Sequence, residues 1–276
     1  MTAPLPPLST LTAAAWRGGR LQPAGRVVPE EVPVAFSYGG TTHAVMMATP
    51  ADLEDFAYGF SLAEGIIATA SDVLAVDIME AGDGLDVQVT LAEPEADALT
   101  ARRRRMAGPV GCGLCGIESI EQATRAVPHV PDHGLTVTPG EIEAAIGALS
   151  AAQVLNRESR AVHGAGFYIP GAGLLAARED VGRHNALDKL VGAVLRRGMA
   201  GMAGMVVVTS RLSVEMVQKA ATLGSPVIAA ISAPTALAIR TAEAAGMTLV
   251  GIVRADEFEI FTRPDRIRTP GDRHVA

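Results

Sequence analysis

Three apolar segments near the end of the chain, separated by two helical ones, constrain the fold more than any other feature. GMVVVTS, SPVIAAIS and MTLVGIVR (residues 204–210, 225–232 and 247–254) are short and rich in aliphatic residues, as buried strands are. The intervening RLSVEMVQKAATLG and APTALAIRTAEAAG have helical spacing and end in glycine. Strands that are apolar throughout and alternate with helices predict a parallel sheet covered on both faces.

A sheet of this kind binds its ligands beyond the carboxyl ends of its strands. Those ends carry polar and basic residues here: Thr209, Ser210, Arg211, Ser232, Arg254 and the segment ADEFEIFTR, residues 255–263. Helices follow the first two strands, and their first turns offer backbone N–H groups to a phosphate. The pattern therefore predicts an anion site at this edge. The alternative is that Ser and Arg occupy ordinary strand–helix turns without a ligand.

The rest of the chain alternates predicted hairpins and helices. Hairpins are expected over 31–49, 73–91 and 164–179, and helices over 50–66, 93–105, 140–155 and 185–198. The N-terminus is rich in Pro and Ala, and residues 129–139 have the composition of a linker. We expect a flexible tail over 1–25, an N-terminal α/β domain over 26–128 that ends in a cysteine loop, and a second domain over 129–276.

Composition excludes several classes of function. The formal net charge of −7 argues against a general nucleic-acid-binding protein. The chain lacks an uninterrupted run of about 18 apolar residues, so we expect no membrane-spanning helix. The N-terminus has no secretory pattern. We therefore expect a protein of the reducing cytoplasm, in which the two cysteines are free thiols.

The two cysteines, Cys112 and Cys115, lie in the glycine-rich segment GCGLCG. Together with His129 and His133 they match the spacing of a Cys2His2 zinc site. Prolines beside and between these histidines oppose the helix that a zinc finger needs. A zinc deaminase needs a His-x-Glu motif, which is absent from the sequence. We therefore expect no metal site.

Three interpretations of the cysteine pair remain open. A Cys-x-x-Cys at a helix start is typical of dithiol oxidoreductases. A thiolate in a mobile loop also suits a sulfur carrier, which holds sulfur as a persulfide between a donor and an acceptor. The arginines 102–105 would favour the thiolate. They either dock an acidic partner or an anionic cofactor, or form a solvated helix face. The third interpretation is a pair of buried structural cysteines, which the flanking glycines disfavour.

The segment AREDVGRHNALDKLVG, residues 177–192, places a charged stretch before an apolar helix. Asn185 is a candidate N-cap for this helix. Arg183 and His184, at the helix start, are candidates for binding an anion or a base. The alternative is an ordinary capped helix with a salt-bridged loop. His43 and His163 stand alone in the sequence and are expected to be structural.

Several segments, in this order, resemble the FdhD family of formate dehydrogenase accessory sulfurtransferases. The resemblance covers roughly residues 30–262 and rests on EVPVAFSYGGTTHAVMMATPADLEDFAYGFSLAEGII, GCGLCGIES, REDVGRHNALDKLVG, SRLSVEMVQKA and SPVIAAISAPTALAI. Two places depart from the family pattern. Ser159-Arg160-Ala161 stands where the family has Thr-Gly-Gly, and Thr209-Ser210-Arg211 stands where it has Ser-Gly-Arg.

The resemblance implies a cytoplasmic sulfur carrier that takes sulfur from a cysteine desulfurase. It would deliver the sulfur to the molybdenum bis(molybdopterin guanine dinucleotide) cofactor of formate dehydrogenase. It also implies a cytidine-deaminase-like C-terminal domain, a smaller N-terminal α/β domain and a homodimer. Cys112 would carry the persulfide, with Cys115 as its partner. Cofactor contacts would fall on Phe258, Glu259, Ile260, Phe261, Thr262 and Arg263, and the strand-end argument adds Ser210 and Arg211.

Two other classes of function fit the same residues. One is a dithiol oxidoreductase, and the other is a chaperone that binds the molybdenum cofactor without sulfur chemistry. Because the implied cofactor ends in guanine dinucleotide arms, the carrier interpretation also predicts binding of free guanine nucleotides such as GDP. The strand ends of the C-terminal sheet are the expected place for them.

Overall fold

The computed structural model describes residues 5–106 and 127–269. Its strands are β1 (Leu8–Arg17), β2 (Arg20–Pro29), β3 (Val32–Tyr38), β4 (Thr41–Ala48), β5 (Val73–Ala81), β6 (Gly84–Leu91), β7 (His163–Ile169), β8 (Gly173–Asp180), β9 (Met205–Val208), β10 (Val227–Ala230), β11 (Thr248–Gly251) and β12 (Glu259–Thr262). Its helices are α1 (Leu53–Ala63), α2 (Glu93–Met106), α3 (Pro139–Ala152), α4 (Val154–Ser159), α5 (Arg183–Arg196), α6 (Val214–Leu223) and α7 (Ala236–Ala244). Within these two stretches of chain, no helix has both the length and the apolar character needed to cross a membrane.

The larger sheet has the strand order β12-β11-β10-β9-β7-β8. Strands β9, β10 and β11 are parallel, as the sequence predicts. Along β9, Val206 and Val208 pack in the cluster that contains helices α5 to α7, whereas Met205 and Val207 pack in the cluster that contains α3. Helices therefore cover both faces of this sheet, and the predicted α/β class is confirmed.

The smaller sheet lies in the first part of the chain and has the order β4-β3-β6-β5. The two hairpins predicted over 31–49 and 73–91 supply its strands. Helix α1 packs on one face: the ring of Phe36 stacks on Phe60 with centroids 4.5 Å apart and meets Phe56 edge-on at 4.8 Å. The chain has few aromatic residues, and these three form the centre of the core of the smaller sheet.

Helices α1 and α5 join the two sheets, and where the two helices cross, each has a glycine. Gly59 on α1 faces Gly192 on α5, and a Cβ on Gly192 would overlap the carbonyl oxygen of Asp55. Buried residues of both sheets form one continuous cluster across this contact. The domain boundary expected at residue 128 therefore stays a prediction.

Residues 8–25 do not belong to a flexible tail, although a tail is expected over 1–25. From Leu8 to Pro29 they make a β-hairpin of ten residue pairs. Gly18 and Gly19 have φ values of 57° and 80°, which a two-residue hairpin turn requires. The prediction was wrong because Ala and Pro have low strand propensity, so the composition of this segment does not indicate strands. The Gly-Gly turn and a contact with α4 stabilise the hairpin.

Candidate functional site

The carboxyl ends of β9, β10 and β11 form one edge of the larger sheet, and the loops that leave them are fastened to each other. Ile231 N donates to the Val208 carbonyl at 3.3 Å, and Val253 N donates to the Ala230 carbonyl at 3.0 Å. Strands β7 and β12 run antiparallel to their neighbours, so both begin at this edge. We call it the carboxyl edge; it consists of His163, residues 182–184, residues 209–213, Ser232 and residues 252–259.

A basic cluster lies where β7 and α5 begin. His163 opens β7 and pairs in register with Asp180, and Arg183 opens α5. The Nε of Arg183 is buried and has no hydrogen-bond partner among the described residues. Burial lowers the pKa of His163, and the charge of Arg183 lowers it further against the opposing effect of Asp180. The imidazole of His163 is therefore mainly neutral at pH 7, and Arg183 retains a buried donor for a ligand.

His184 follows in the chain and connects the starts of two helices. Its Nε2 lies 2.8 Å from Glu215 Oε2 and 3.5 Å from Ser213 Oγ. The hydrogen bond with His184 lowers the pKa of Glu215, and burial opposes this effect. A nucleophilic triad would need serine and carboxylate on opposite ring nitrogens. Here both contacts use the same nitrogen, so the trio fastens α6 to α5 and does not activate the serine.

The loop after β9 carries the predicted pair Ser210 and Arg211. Ser210 is buried, and its hydroxyl donates to the Arg211 carbonyl at 3.1 Å. The guanidinium of Arg211 belongs to an exposed side chain at the carboxyl edge. Thr209, which departs from the family's serine, accepts a hydrogen bond from Gly164 N on its Oγ1 at 2.9 Å. The threonine hydroxyl thus ties the loop to β7.

The segment predicted to contact the cofactor, residues 258–263, contains strand β12. Because β12 is antiparallel to β11, Glu259 lies opposite Gly251 at the carboxyl edge, while Thr262 lies opposite Leu249. Thr262 is buried: its Oγ1 donates to the Met247 carbonyl at 2.7 Å and accepts from Leu249 N at 2.9 Å. Thr262 therefore holds the strand in the sheet.

Arg263 lies at the opposite end of β11. Its carbonyl accepts a hydrogen bond from Thr248 Oγ1 at 2.8 Å, and its guanidinium pairs with Asp265 at 2.8 Å. A strand of four residues separates the two edges by about 10 Å. The structure therefore brings Phe258 and Glu259 to the same edge as Ser210 and Arg211, leaves Ile260 and Phe261 along the strand, and directs Thr262 and Arg263 away from it.

A buried carboxylate beneath the basic cluster positions the start of α5. Asp180 Oδ2 accepts from Lys189 Nζ at 2.6 Å and from Thr49 N at 3.0 Å, and both charged side chains are fully buried. Burial lowers the pKa of Lys189, and Asp180 opposes that shift. This network joins the end of β8 to the loop after β4, so the smaller sheet supports the site.

The predicted N-cap role of Asn185 is wrong. Helix α5 begins at Arg183 after Gly182 as N-cap. The Asn185 amide instead donates to Asp180 Oδ1 at 3.0 Å and to the Met47 carbonyl at 2.8 Å. Asp180, which ends β8, and the Met47 carbonyl, which lies 138 residues earlier in the chain, together hold the side chain that would otherwise cap the helix.

The departure Ser159-Arg160-Ala161 lies at the end of α4. Arg160 is the C-cap, with φ 57°, in the left-handed region that glycine adopts without strain. Ser159 Oγ donates to the Leu155 carbonyl at 2.7 Å, and the Ser159 carbonyl accepts from Arg26 at 2.9 Å. These residues support a helix end and the hairpin, and none of the contacts reaches the carboxyl edge.

The cysteine segment, with Cys112, Cys115 and the short helix expected after it, lies outside the described residues. Helix α2, whose sequence ends in the arginines 102–105 and Met106, leads into that segment. In the described parts of the chain, no group of three His, Cys, Asp or Glu side chains lies close enough together to hold a metal ion.

The sequence indicates Arg183 and His184 as candidate binding residues, whereas His163 is expected to be structural. A lone histidine before an apolar strand carries no local signal of function. Only the pairing of β7 with β8 and β9 brings it beside Asp180 and Arg183. His43 does behave as expected, since its ring meets Tyr38 and Phe60 edge-on at 5.8 and 6.2 Å.

The carboxyl edge is long, and its charges are divided between its two ends. From β7 to β12 it crosses four gaps between strands, about 19 Å in all at ~4.8 Å a gap. Arg183 and Arg211 lie toward one end, and Phe258 lies toward the other beside the exposed acidic residues Asp256, Glu257 and Glu259. The arginines at one end suit phosphate groups, Phe258 at the other end suits a planar ring, and the length of the edge suits an elongated molecule rather than a single small ion.

Known proteins have similar sequences and a similar fold. Residues 29–268 match the model of the FdhD/NarQ family. A sulfur carrier protein FdhD from Agrobacterium fabrum is 68% identical over 92% of this chain and 93% of its own length, and one from Brucella abortus is 59% identical over 92% and 94%. A solved structure from Desulfotalea psychrophila, described as a formate dehydrogenase accessory protein, is 26% identical with a TM-score of 0.76, over 95% of this chain and 100% of that one. The chain belongs to the FdhD/NarQ family.

Proposed function

We propose that the protein carries sulfur, as a persulfide on Cys112, from a cysteine desulfurase to the molybdenum bis(molybdopterin guanine dinucleotide) cofactor of a formate dehydrogenase. Relatives named as sulfur carriers and a similar structure described as a formate dehydrogenase accessory protein support the general role. The observation that carries the cofactor part is the buried, unpaired Nε of Arg183 in the long carboxyl edge.

Sulfur transfer between thiols needs no outside oxidant. The Cys112 thiolate attacks the terminal sulfur of the donor's persulfide. A new S–S bond forms on Cys112, the donor's S–S bond breaks, and the donor cysteine leaves as a thiolate. The transfer is a displacement by a thiolate, so an accessible cysteine whose pKa lies near the ambient pH is the better acceptor.

Release of the sulfur uses the second cysteine. The Cys115 thiolate attacks Sγ of Cys112, a Cys112–Cys115 disulfide forms, and the terminal sulfur leaves as hydrosulfide for the cofactor. The cysteine pair supplies the two electrons that this sulfur gains. A cellular dithiol then reduces the disulfide before the next cycle.

The carboxyl edge would hold the cofactor while sulfur arrives. Arg183 donates from a site that excludes water, where a charge-assisted hydrogen bond to phosphate is stronger than at an exposed position. The start of α5 adds backbone N–H groups to the same point. Arg211 and Phe258 extend the contact along the edge.

Intact mass spectrometry tests the sulfur step. After incubation with a cysteine desulfurase and cysteine, the wild-type chain is expected to gain one sulfur atom that a reductant removes. Cys112→Ala should show no gain, and Cys115→Ala should gain the sulfur but release it slowly. An internal disulfide in the wild type, together with no gain of sulfur in the Cys115→Ala variant, would point to a dithiol oxidoreductase. Full support of formate dehydrogenase by the double alanine variant would point to a chaperone without sulfur chemistry.

Calorimetry tests the cofactor step separately. GDP should bind, and ADP should bind more weakly. Arg183→Gln should lower the affinity for GDP by about tenfold or more, because a charged hydrogen bond is lost. Arg240→Gln, an exposed arginine on α7, is the matched control and should bind GDP as the wild type does. Equal heats for GDP and ADP, or an Arg183→Gln variant that binds normally, would contradict the assignment of this site.

A further inference from the structure

The ring of His163 is not held by a hydrogen bond at the carboxyl edge. His163 is half-buried at the start of β7, and no group within residues 5–106 and 127–269 forms a hydrogen bond with its side chain. Thr209 N donates to the Gly164 carbonyl at 3.0 Å, so His163 lies level with the loop that carries Ser210 and Arg211. An imidazole in this position can contact a ligand that lies along the edge.

The carboxylate opposite His163 is already fully used. Asp180 pairs with His163 in the register of β7 and β8, and each of its two oxygens accepts two hydrogen bonds. The four donors are Lys189 Nζ, Thr49 N, Gly182 N and the Asn185 amide, at 2.6, 3.0, 2.8 and 3.0 Å. A carboxylate offers about four acceptor positions. A proton on His163 would therefore find no free acceptor in Asp180.

The surroundings of His163 favour its neutral form. Burial is the main cause of its lowered pKa, the charges of Arg183 and His184 on α5 lower the pKa further, and Asp180 on β8 opposes them. On the side of β9, the residue that bonds to β7 is the uncharged Thr209. The ring therefore gives up its proton more readily than an exposed histidine does.

A phosphate group beside Arg183 would reverse this balance. The buried Nε of Arg183 has no partner among the described residues, and no side chain caps the first turn of α5, whose backbone N–H groups lie at the same point. A negative charge within about 4–6 Å favours the protonated form of a histidine. The phosphate oxygens would also supply the acceptor that Asp180 cannot, through a charge-assisted hydrogen bond.

We infer that His163 is a further anion-binding residue of the carboxyl edge, which takes up a proton when a phosphate group binds beside Arg183 and donates an N–H to that phosphate. The inference rests on the proposed cofactor site and names the group that makes this site sensitive to pH. One proton passes from the solvent or its buffer to the imidazole, and no bond of the ligand breaks. The affinity for the anion should therefore fall as the pH rises between the pKa values of His163 without and with the ligand.

Proton–nitrogen NMR of the imidazole tests the inference on the wild-type protein. At saturating GDP, the pKa of His163 should rise by at least about one unit, which corresponds to about tenfold tighter binding of GDP by the protonated form. The spectrum separates His163 from His184, whose Nε2 lies 2.8 Å from Glu215 Oε2. Sulfate, which does not titrate in this pH range, should also raise the pKa of His163. A value that is the same with and without GDP would overturn the inference.

Calorimetry of GDP binding in two buffers with different heats of ionisation counts the protons. His163→Gln should remove the proton uptake that the wild type shows. The same variant should lower the affinity for GDP by about five- to tenfold at pH 5.5 and only slightly at pH 8.5, because His163 is neutral at the higher pH even with ligand bound. Comparing variant and wild type at each pH cancels the titration of the nucleotide's own phosphate, whose pKa is about 6.

The matched control is His133→Gln, which replaces an exposed histidine before α3 and should take up protons as the wild type does. If GDP binds with equal proton uptake to the wild type and to His163→Gln, the cofactor site stands, but the proton goes to another group and the inference is overturned. If neither GDP nor sulfate binds at any pH, the proposed cofactor site fails, and the inference fails with it.

Discussion

Gly59 and Gly192 face each other where α1 crosses α5, and each lies against the backbone of the opposite helix. A Cβ on either would come within 2.8 Å of the other glycine's nitrogen. This contact brings the smaller sheet against the larger one. It therefore sets the position of the loop after β4, whose Thr49 helps to hold the carboxylate beneath the basic cluster.

We expect Gly192→Ala to lower the free energy of unfolding by about 3 kcal/mol or more, because the helices must separate to admit a methyl group. Gly147→Ala is the control, since Gly147 is a glycine of α3 with open space around its Cβ position. That change should raise stability by about 0.5–1 kcal/mol. Urea unfolding measures both. If the two substitutions change the free energy of unfolding equally, the α1–α5 crossing can shift to accommodate the added methyl group.

Arg160→Gly should stabilise the protein by up to about 1 kcal/mol. Arg160 has φ 57°, which strains a residue with a Cβ but not glycine, and its side chain is exposed. Glu158→Gly, two residues earlier inside α4, should destabilise by a similar amount because glycine is a poor helix former. Thermal unfolding of the two variants would decide. A loss of stability in both would mean that the Arg160 side chain has a role that outweighs the backbone strain.

Arg183→Gln should raise the pKa of His163. Burial is the main cause of its lowered value and remains in the variant, but the second cause, the charge of Arg183, is removed. The pKa should rise toward 6.5 without fully reaching it. Proton–nitrogen NMR of the imidazole during a pH titration measures the shift. Arg211→Gln is the control for a general change of charge at the edge, and an equal shift in both variants would contradict a close Arg183–His163 pair.

Glu215→Gln should lower the free energy of unfolding at pH 7 by up to about 1 kcal/mol. The hydrogen bond with His184 lowers the folded-state pKa of Glu215 below the ordinary 4.5. A carboxyl with a lowered folded pKa contributes stability above its unfolded pKa, and the contribution is lost as pH falls through the folded value. The difference between wild type and variant should therefore shrink below pH 4.5. Unfolding curves from pH 7 to 3 test this, with the exposed Glu158→Gln as control. A difference that does not depend on pH would rule out the ionised Glu215 carboxylate as its cause.

Local pattern alone determined the three parallel strands, the helices between them and the polar residues at their carboxyl ends. This succeeds because burial on both faces demands unbroken apolar runs, which segments such as GMVVVTS display without reference to any neighbour. The same locality explains the misses. Asn185 has the chemistry of a helix cap, but one of its two partners is the Met47 carbonyl, which lies 138 residues earlier and reaches it only through the packing of the smaller sheet.

Tertiary structure decided which polar residues share a site. His163 joins Arg183 because β7 pairs with β8 and β9, and Arg263 leaves the carboxyl edge because β12 runs antiparallel to β11. The direction of a strand and the identity of its neighbours depend on contacts between residues far apart in the chain. No periodicity within one segment encodes them. The sequence thus determined the chemistry available to this protein, whereas packing of distant segments determined where that chemistry meets.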